Sequence, residues 1–171
     1  MVELWQKVRG GFIRTLEVLL MVLVAVMTLT VLWGVFTRFC LGYQADYTDE
    51  LARVLLVWIA MIGSALAFGV KAHLGVDYFV SKLHPEARKT LSVIVQLVIL
   101  AMALIVFVIG GWGLAAGQMG QQLPALPIAR GVVYVSMPIG GVLIILFALE
   151  NMIEIIRTPA EKLGAQTKSE G

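Results

Sequence analysis

Long uncharged stretches dominate this chain. Val18 to Phe36 is 19 residues without a charge, which as a helix rises about 28 Å and matches the hydrocarbon core of a bilayer. A first span over about 16–37 follows. The basic residues ahead of it (Lys7, Arg9, Arg14) resemble the start of a signal peptide. The apolar run is too long for one, however, and no A-x-A-like site follows, so the helix is expected to stay uncleaved. A second uncharged run, Val54 to Val70, is preceded by Asp46, Tyr47, Thr48, Asp49 and Glu50. Acids suit the positive end of a helix, and Asp46 or Thr48 could cap its free amides. This predicts a second span over about 48–70.

From Thr90 to Ala129 the chain carries 40 uncharged residues, more than one span needs. Gln118, Gln121, Gln122, Pro124 and Pro127 mark a loop inside that run, leaving a third span over about 86–117 that must tilt or protrude. A fourth is expected over about 132–156. Pro138 inside it removes a hydrogen bond to the Tyr134 carbonyl and should kink it. Two short segments read as amphipathic helices lying in the membrane interface. One sets Leu4, Trp5, Val8 and Phe12 on one side ahead of the first span. The other, over about 75–84, places Val76, Phe79, Val80 and Leu83 on one face. The expected architecture is an all-α integral membrane protein: one four-helix domain over 1–157, with a polar tail over 158–171.

Composition agrees. Of 171 residues 60% are hydrophobic and 14% charged, and mean hydropathy is +0.92. A soluble domain carries about a quarter charged residues, and no room remains for a folded extramembrane domain. The formal charge of +2 is too mild for a nucleic-acid partner. Membrane lipid is the expected surrounding. Lys and Arg in alternating segments sum to ten on one side against three on the other. The positive-inside rule then puts both termini and the 71–89 loop in the cytoplasm.

Few residues could carry chemistry. The lone Cys40 excludes an internal disulfide and multi-cysteine metal sites. His73 and His84 share a loop with no paired ligand at metal spacing, and neither lies in a span as a membrane haem ligand would. Glu17, Glu150 and Glu154 sit at span edges, where acids are solvated or paired with Arg; an ion-coupling carboxylate would sit near mid-depth. A stand-alone small multidrug exporter would want a Glu deep in its first span, and the run after Glu17 has none. No catalytic residue, substrate site, metal or cofactor is therefore expected. What remains is a set of charges at the two ends of the second span: Arg38, Asp49, Glu50 and Arg53 at one, Lys71, His73 and Asp77 at the other. Glu50 and Arg53 share a helix face, so a local ion pair and contact with a partner protein are the competing readings. Ala60, Ser64 and Ala67, with Gly63 beside them, form a small-residue stripe that lets another helix approach.

The ordered set Asp49-Glu50-Leu51-Ala52-Arg53, Val57-Trp58, Gly63, Ala65, Ala67 and His73-Leu74-Gly75-Val76-Asp77 resembles the small, DctQ-like membrane subunit of the TRAP (tripartite ATP-independent periplasmic) transporters, over about residues 12–157. Tyr47-Thr48-Asp49 departs from the Trp-Ser-Glu frequent there but keeps aromatic, capping and acidic character. The resemblance implies a bacterial inner-membrane complex in which a periplasmic substrate-binding protein delivers an organic acid to a large permease subunit that imports it with sodium. The small subunit would bind the large one, enlarge its static scaffold and help receive the binding protein. The interface or motif candidates are then Arg38, Asp49, Glu50, Arg53, Trp58, Gly63, Ser64, His73 and Asp77. The competing function is a self-sufficient four-helix transporter or channel acting as a homo-oligomer.

Overall fold

The computed structural model describes residues 2–43, 45–70 and 85–157. Helix α1 runs Val2–Cys40 and α2 runs Asp46–Gly69. The third span is one helical rod in three parts: α3 (Pro85–Met102), a π-helical segment (Ala103–Gly110) and α4 (Gly111–Gln118). Then come α5 (Arg130–Tyr134) and α6 (Ser136–Arg157). Among the described residues, four helical stretches are long and apolar enough to cross a membrane: Arg9–Cys40, Asp46–Gly69, Thr90–Gln118 and Arg130–Ile156.

Several local details depart from the sequence reading. The N-terminal amphipathic stretch is not a separate surface helix: α1 is continuous for 39 residues, about 58 Å at the usual rise. Gly10 and Gly11 lie within it without a break, and a Cβ at either would meet open space. Nor does a side chain cap α2. Ala45 is its N-cap residue, without a side-chain cap bond, and the Thr48 hydroxyl instead donates to the Ala45 carbonyl at 2.6 Å. The hydrogen bond that Pro138 cannot donate to the Tyr134 carbonyl falls where the regular helix breaks. The fourth span is interrupted at Val135, between α5 and α6, and the buried Ser136 hydroxyl donates to the Val133 carbonyl at 2.8 Å. The interfacial helix expected over about 75–84 and the tail over 158–171 lie outside the described residues.

Helices α2 and α6 form the centre, with α1 packed on α2 and the third span packed on α6. Leu16, Ile62 and Phe147 make one buried cluster, flanked by Trp58, Leu20 and Leu66. Ala65, Ala103 and Ile144 make a second, flanked by Phe68 and Phe107. With lipid tails as apolar as leucine, such packing depends on close approach more than on hydrophobicity. Glycines supply it. A Cβ on Gly140 would lie 3.0 Å from the Met61 Cβ, and one on Gly141 would lie 2.7 Å from the Phe107 Cβ.

Candidate functional site at the two ends of the bundle

The polar side chains that reach across the chain gather at two levels. At the end where α1 begins and α2 stops, Arg9 donates through Nη2 to the Gly69 carbonyl at 2.9 Å. Its Nε lies 2.9 Å from Oε1 of Glu150. Asn151, almost fully buried, donates through Nδ2 to the Phe68 carbonyl at 3.2 Å. Phe68 and Gly69 close α2, where carbonyls have no partner within their own helix. An unpaired carbonyl in lipid costs several kcal/mol, and a cation also suits the negative end of the helix dipole. On the neighbouring rod, buried Gln96 donates to the Ala148 carbonyl at 2.9 Å. These contacts tie all four spans together near one end.

At the opposite end Glu50, on the second turn of α2, accepts the backbone N–H of Ala125 on Oε2 at 2.6 Å. Ala125 belongs to the loop between the third and fourth spans, which is folded on itself. Leu123 N–H donates to Ile128 O at 3.0 Å, and Arg130 N–H to Gln121 O at 2.7 Å. Gln122 and Ala129 form an antiparallel bridge, and Arg130 Nη1 reaches Gln121 Oε1 at 3.2 Å. Pro124 and Pro127 hold φ fixed on either side of Ala125. Nearby, the exposed Trp33 donates to the Tyr47 hydroxyl at 2.9 Å, a pairing suited to headgroup depth.

The expected site residues are scattered by this geometry. Glu50 meets the Ala125 amide rather than forming the local pair with Arg53, which is exposed on α2. Arg38 is exposed at the end of α1, 5.9 Å from the Phe39 ring centroid. Asp49 lies exposed in the first turn of α2. Trp58 packs inside the chain against the Leu16, Ile62 and Phe147 cluster. Gly63 faces Leu20 at ordinary contact distance. Ser64 is exposed and bonds back to the Ala60 carbonyl at 2.7 Å, so that part of the small stripe faces outward. The close approach made by α2 uses Ala65 and Gly69 instead, and a Cβ on Gly69 would lie 3.0 Å from the Phe147 ring. His73 and Asp77 lie outside the described residues.

Sequence reasoning did not single out Arg9, Gln96 and Asn151. Gln96 carried a usable signal as a lone amide early in the third uncharged run, since a polar group at that depth needs a protein partner. Arg9 looked like any basic residue ahead of a first span.

A family model described as "Tripartite ATP-independent periplasmic transporters, DctQ component" matches residues 27–158. Among curated relatives, the sialic acid TRAP transporter small permease protein SiaQ of Vibrio cholerae is 26% identical over 141 residues, covering 82% of this chain and 81% of that protein. A Haemophilus influenzae chain provisionally named a TRAP transporter small permease protein is 26% identical over 143 residues, covering 84% and 88%. The ectoine TRAP transporter small permease protein TeaB of Halomonas elongata is 26% identical over 146 residues, covering 82% and 76%.

Proposed function

This chain belongs to the DctQ family of tripartite ATP-independent periplasmic transporters, and from that premise we propose that it is the small permease subunit that scaffolds a large permease subunit during sodium-coupled uptake of a carboxylate-bearing solute. The observation that carries this reading is where the polar groups are used. Arg9, Gln96, Glu150, Asn151 and Glu50 all bind this chain's own groups near the two ends of the bundle. The contacts between them are glycine notches and apolar clusters. Such a body suits a fixed support beside a moving transport domain.

The chain lies in the bacterial inner membrane with both termini cytoplasmic, a reading supported by the ten-to-three distribution of Lys and Arg. Arg9 and Glu150, near the two termini, are in contact and so share a side. The loop pinned by Glu50 then faces the periplasm, where a soluble substrate-binding protein arrives. Arg38, Asp49 and Arg53 stand at the same end.

Reconstitution tests the assignment. A large permease subunit placed in proteoliposomes with this chain and the binding protein takes up solute when a sodium gradient is imposed, and uptake is lost when this chain is omitted. Full sodium-driven uptake without it overturns the scaffold reading. Solute flux through liposomes holding this chain alone assigns it instead as a self-sufficient transporter.

A further inference from the structure

We propose that Glu50 is a positioning residue: it fixes the 119–129 loop in the shape on which the soluble binding protein docks. This rests on the orientation and partner given above. The hydrogen bond from Ala125 N–H to Glu50 Oε2 spans 75 positions of sequence and measures 2.6 Å. A carboxylate acceptor makes it one of the stronger bonds available to an amide. The loop closes on itself through Leu123 to Ile128 and Arg130 to Gln121, and Glu50 reaches its tip from another span. Gln121, Gln122, Pro124 and Pro127 are exposed around that tip, while Ala125, Leu126 and Ile128 are half-buried beneath it.

Residues 118–129 carry no charge, so the loop has no pull on anionic headgroups. Its exposed amides suit a hydrogen-bonding protein surface. Holding it rigid removes an ordering cost that docking would otherwise meet, so Glu50 acts on the binding protein through the loop.

The test uses the complex of this chain with the large subunit in proteoliposomes, titrated with the binding protein. Glu50→Ala is expected to raise the binding-protein concentration at half-maximal uptake by about five- to tenfold, the loss of one such bond, with the maximal rate kept. Hydrogen exchange in the 119–129 segment should quicken at least about tenfold. Glu50→Gln keeps an acceptor oxygen and should stay within about twofold of the parent. Ala125→Pro removes the donor and should reproduce Glu50→Ala, with the double variant no worse than either single one. The proposal is overturned if Glu50→Ala loosens the loop while the half-saturating concentration stays put. Equal loss in Glu50→Gln and Glu50→Ala also overturns it, since the charge itself would then be the contact. So does a loop whose exchange is slowed by anionic vesicles and not by the binding protein. Uptake that never required this chain is the separate failure of the scaffold reading.

Discussion

The first and fourth spans are alike in sequence and opposite in use. Both are long, and both are uncharged through their middle. In the most apolar stretch of the first, none of the residues is buried inside the chain; in the fourth, 39% are. The fourth span is notched by Gly140 and Gly141, which admit Met61 and Phe107. The first has one comparable notch, Gly34 against Thr48, with Thr37 buried near it, and toward its start it packs through Arg9, Leu16, Leu20 and Leu23. Hydrophobicity in a membrane chain thus reports depth and says nothing of packing, because lipid and protein are equally good apolar neighbours. What separates the two helices is the placement of their smallest residues.

The same substitution should therefore have opposite signs in the two spans, and this is the largest contrast expected. Gly141→Ala puts a Cβ 2.7 Å from the Phe107 Cβ and 3.3 Å from the Phe107 carbonyl carbon. Neither can give way without moving the third span, so a loss of about 1–3 kcal/mol is expected. It would be read as a lower Tm in detergent and a smaller monodisperse peak on size exclusion. Gly11→Ala meets open space and removes a poor helix former, which should be neutral or stabilise by up to about 1 kcal/mol. A loss at Gly11 matching that at Gly141 would mean that the first span is packed as tightly as the fourth.

The next largest effect concerns the start of the first helix, where a charged side chain reaches across the bundle. Arg9→Ala removes the guanidinium from the Gly69 carbonyl and from Glu150. Both side chains of the pair are partly exposed, at 28% and 22%, so the Coulomb part is screened. The hydrogen bond to the carbonyl makes up the remainder, and about 1–2 kcal/mol is expected. Glu150→Ala should cost less, because Arg9 keeps Gly69. Thermal unfolding of the three proteins and the double variant, as a cycle, checks the ordering. Equal losses from Arg9→Ala and Glu150→Ala would make the ion pair, and not the helix cap, the anchor.

The number of spans was legible because hydrocarbon thickness imposes a length on every uncharged run; the charges at 50–53 and 71 divided the first three spans, and the Gln and Pro residues of 118–127 divided the third from the fourth. The break at Val135 was legible through Pro138, a residue with a fixed geometric consequence. The partner of Glu50 was not, because it is a backbone N–H, and every residue but proline has one; nothing in the letters of Ala125 marks it. Arg53, three positions away on the same helix face, was the partner that spacing alone could suggest. For the same reason Arg9 read as an orienting charge, when its hydrogen-bond acceptor is the carbonyl of Gly69 at the far end of another helix. The small stripe at Ala60 and Ser64 had the right spacing for close packing. The chain uses the neighbouring face at Ala65 and Gly69, and spacing cannot say which of two adjacent faces meets a helix.

The smallest effect expected lies on the outward face of the first span, where Met21 is 62% and Leu29 66% exposed. Met21→Ala and Leu29→Ala delete apolar atoms that touch few groups of this chain, so no cavity forms and no transfer term into a protein interior is lost. In detergent the tails replace the contacts, and the Tm of the isolated chain should move by no more than the equivalent of about 0.5 kcal/mol. A Leu143→Ala control on α6, where Leu143 packs against both buried clusters, should cost several times more. If Leu29→Ala proves as damaging as Leu143→Ala in the chain alone, the first span packs on itself or on a second copy. With Tm unchanged in isolation, a fall of Tm for the same variant in complex with the large permease subunit would place that subunit on this face. The first span's apolar surface would then be an assembly surface, as the fourth span's is a core.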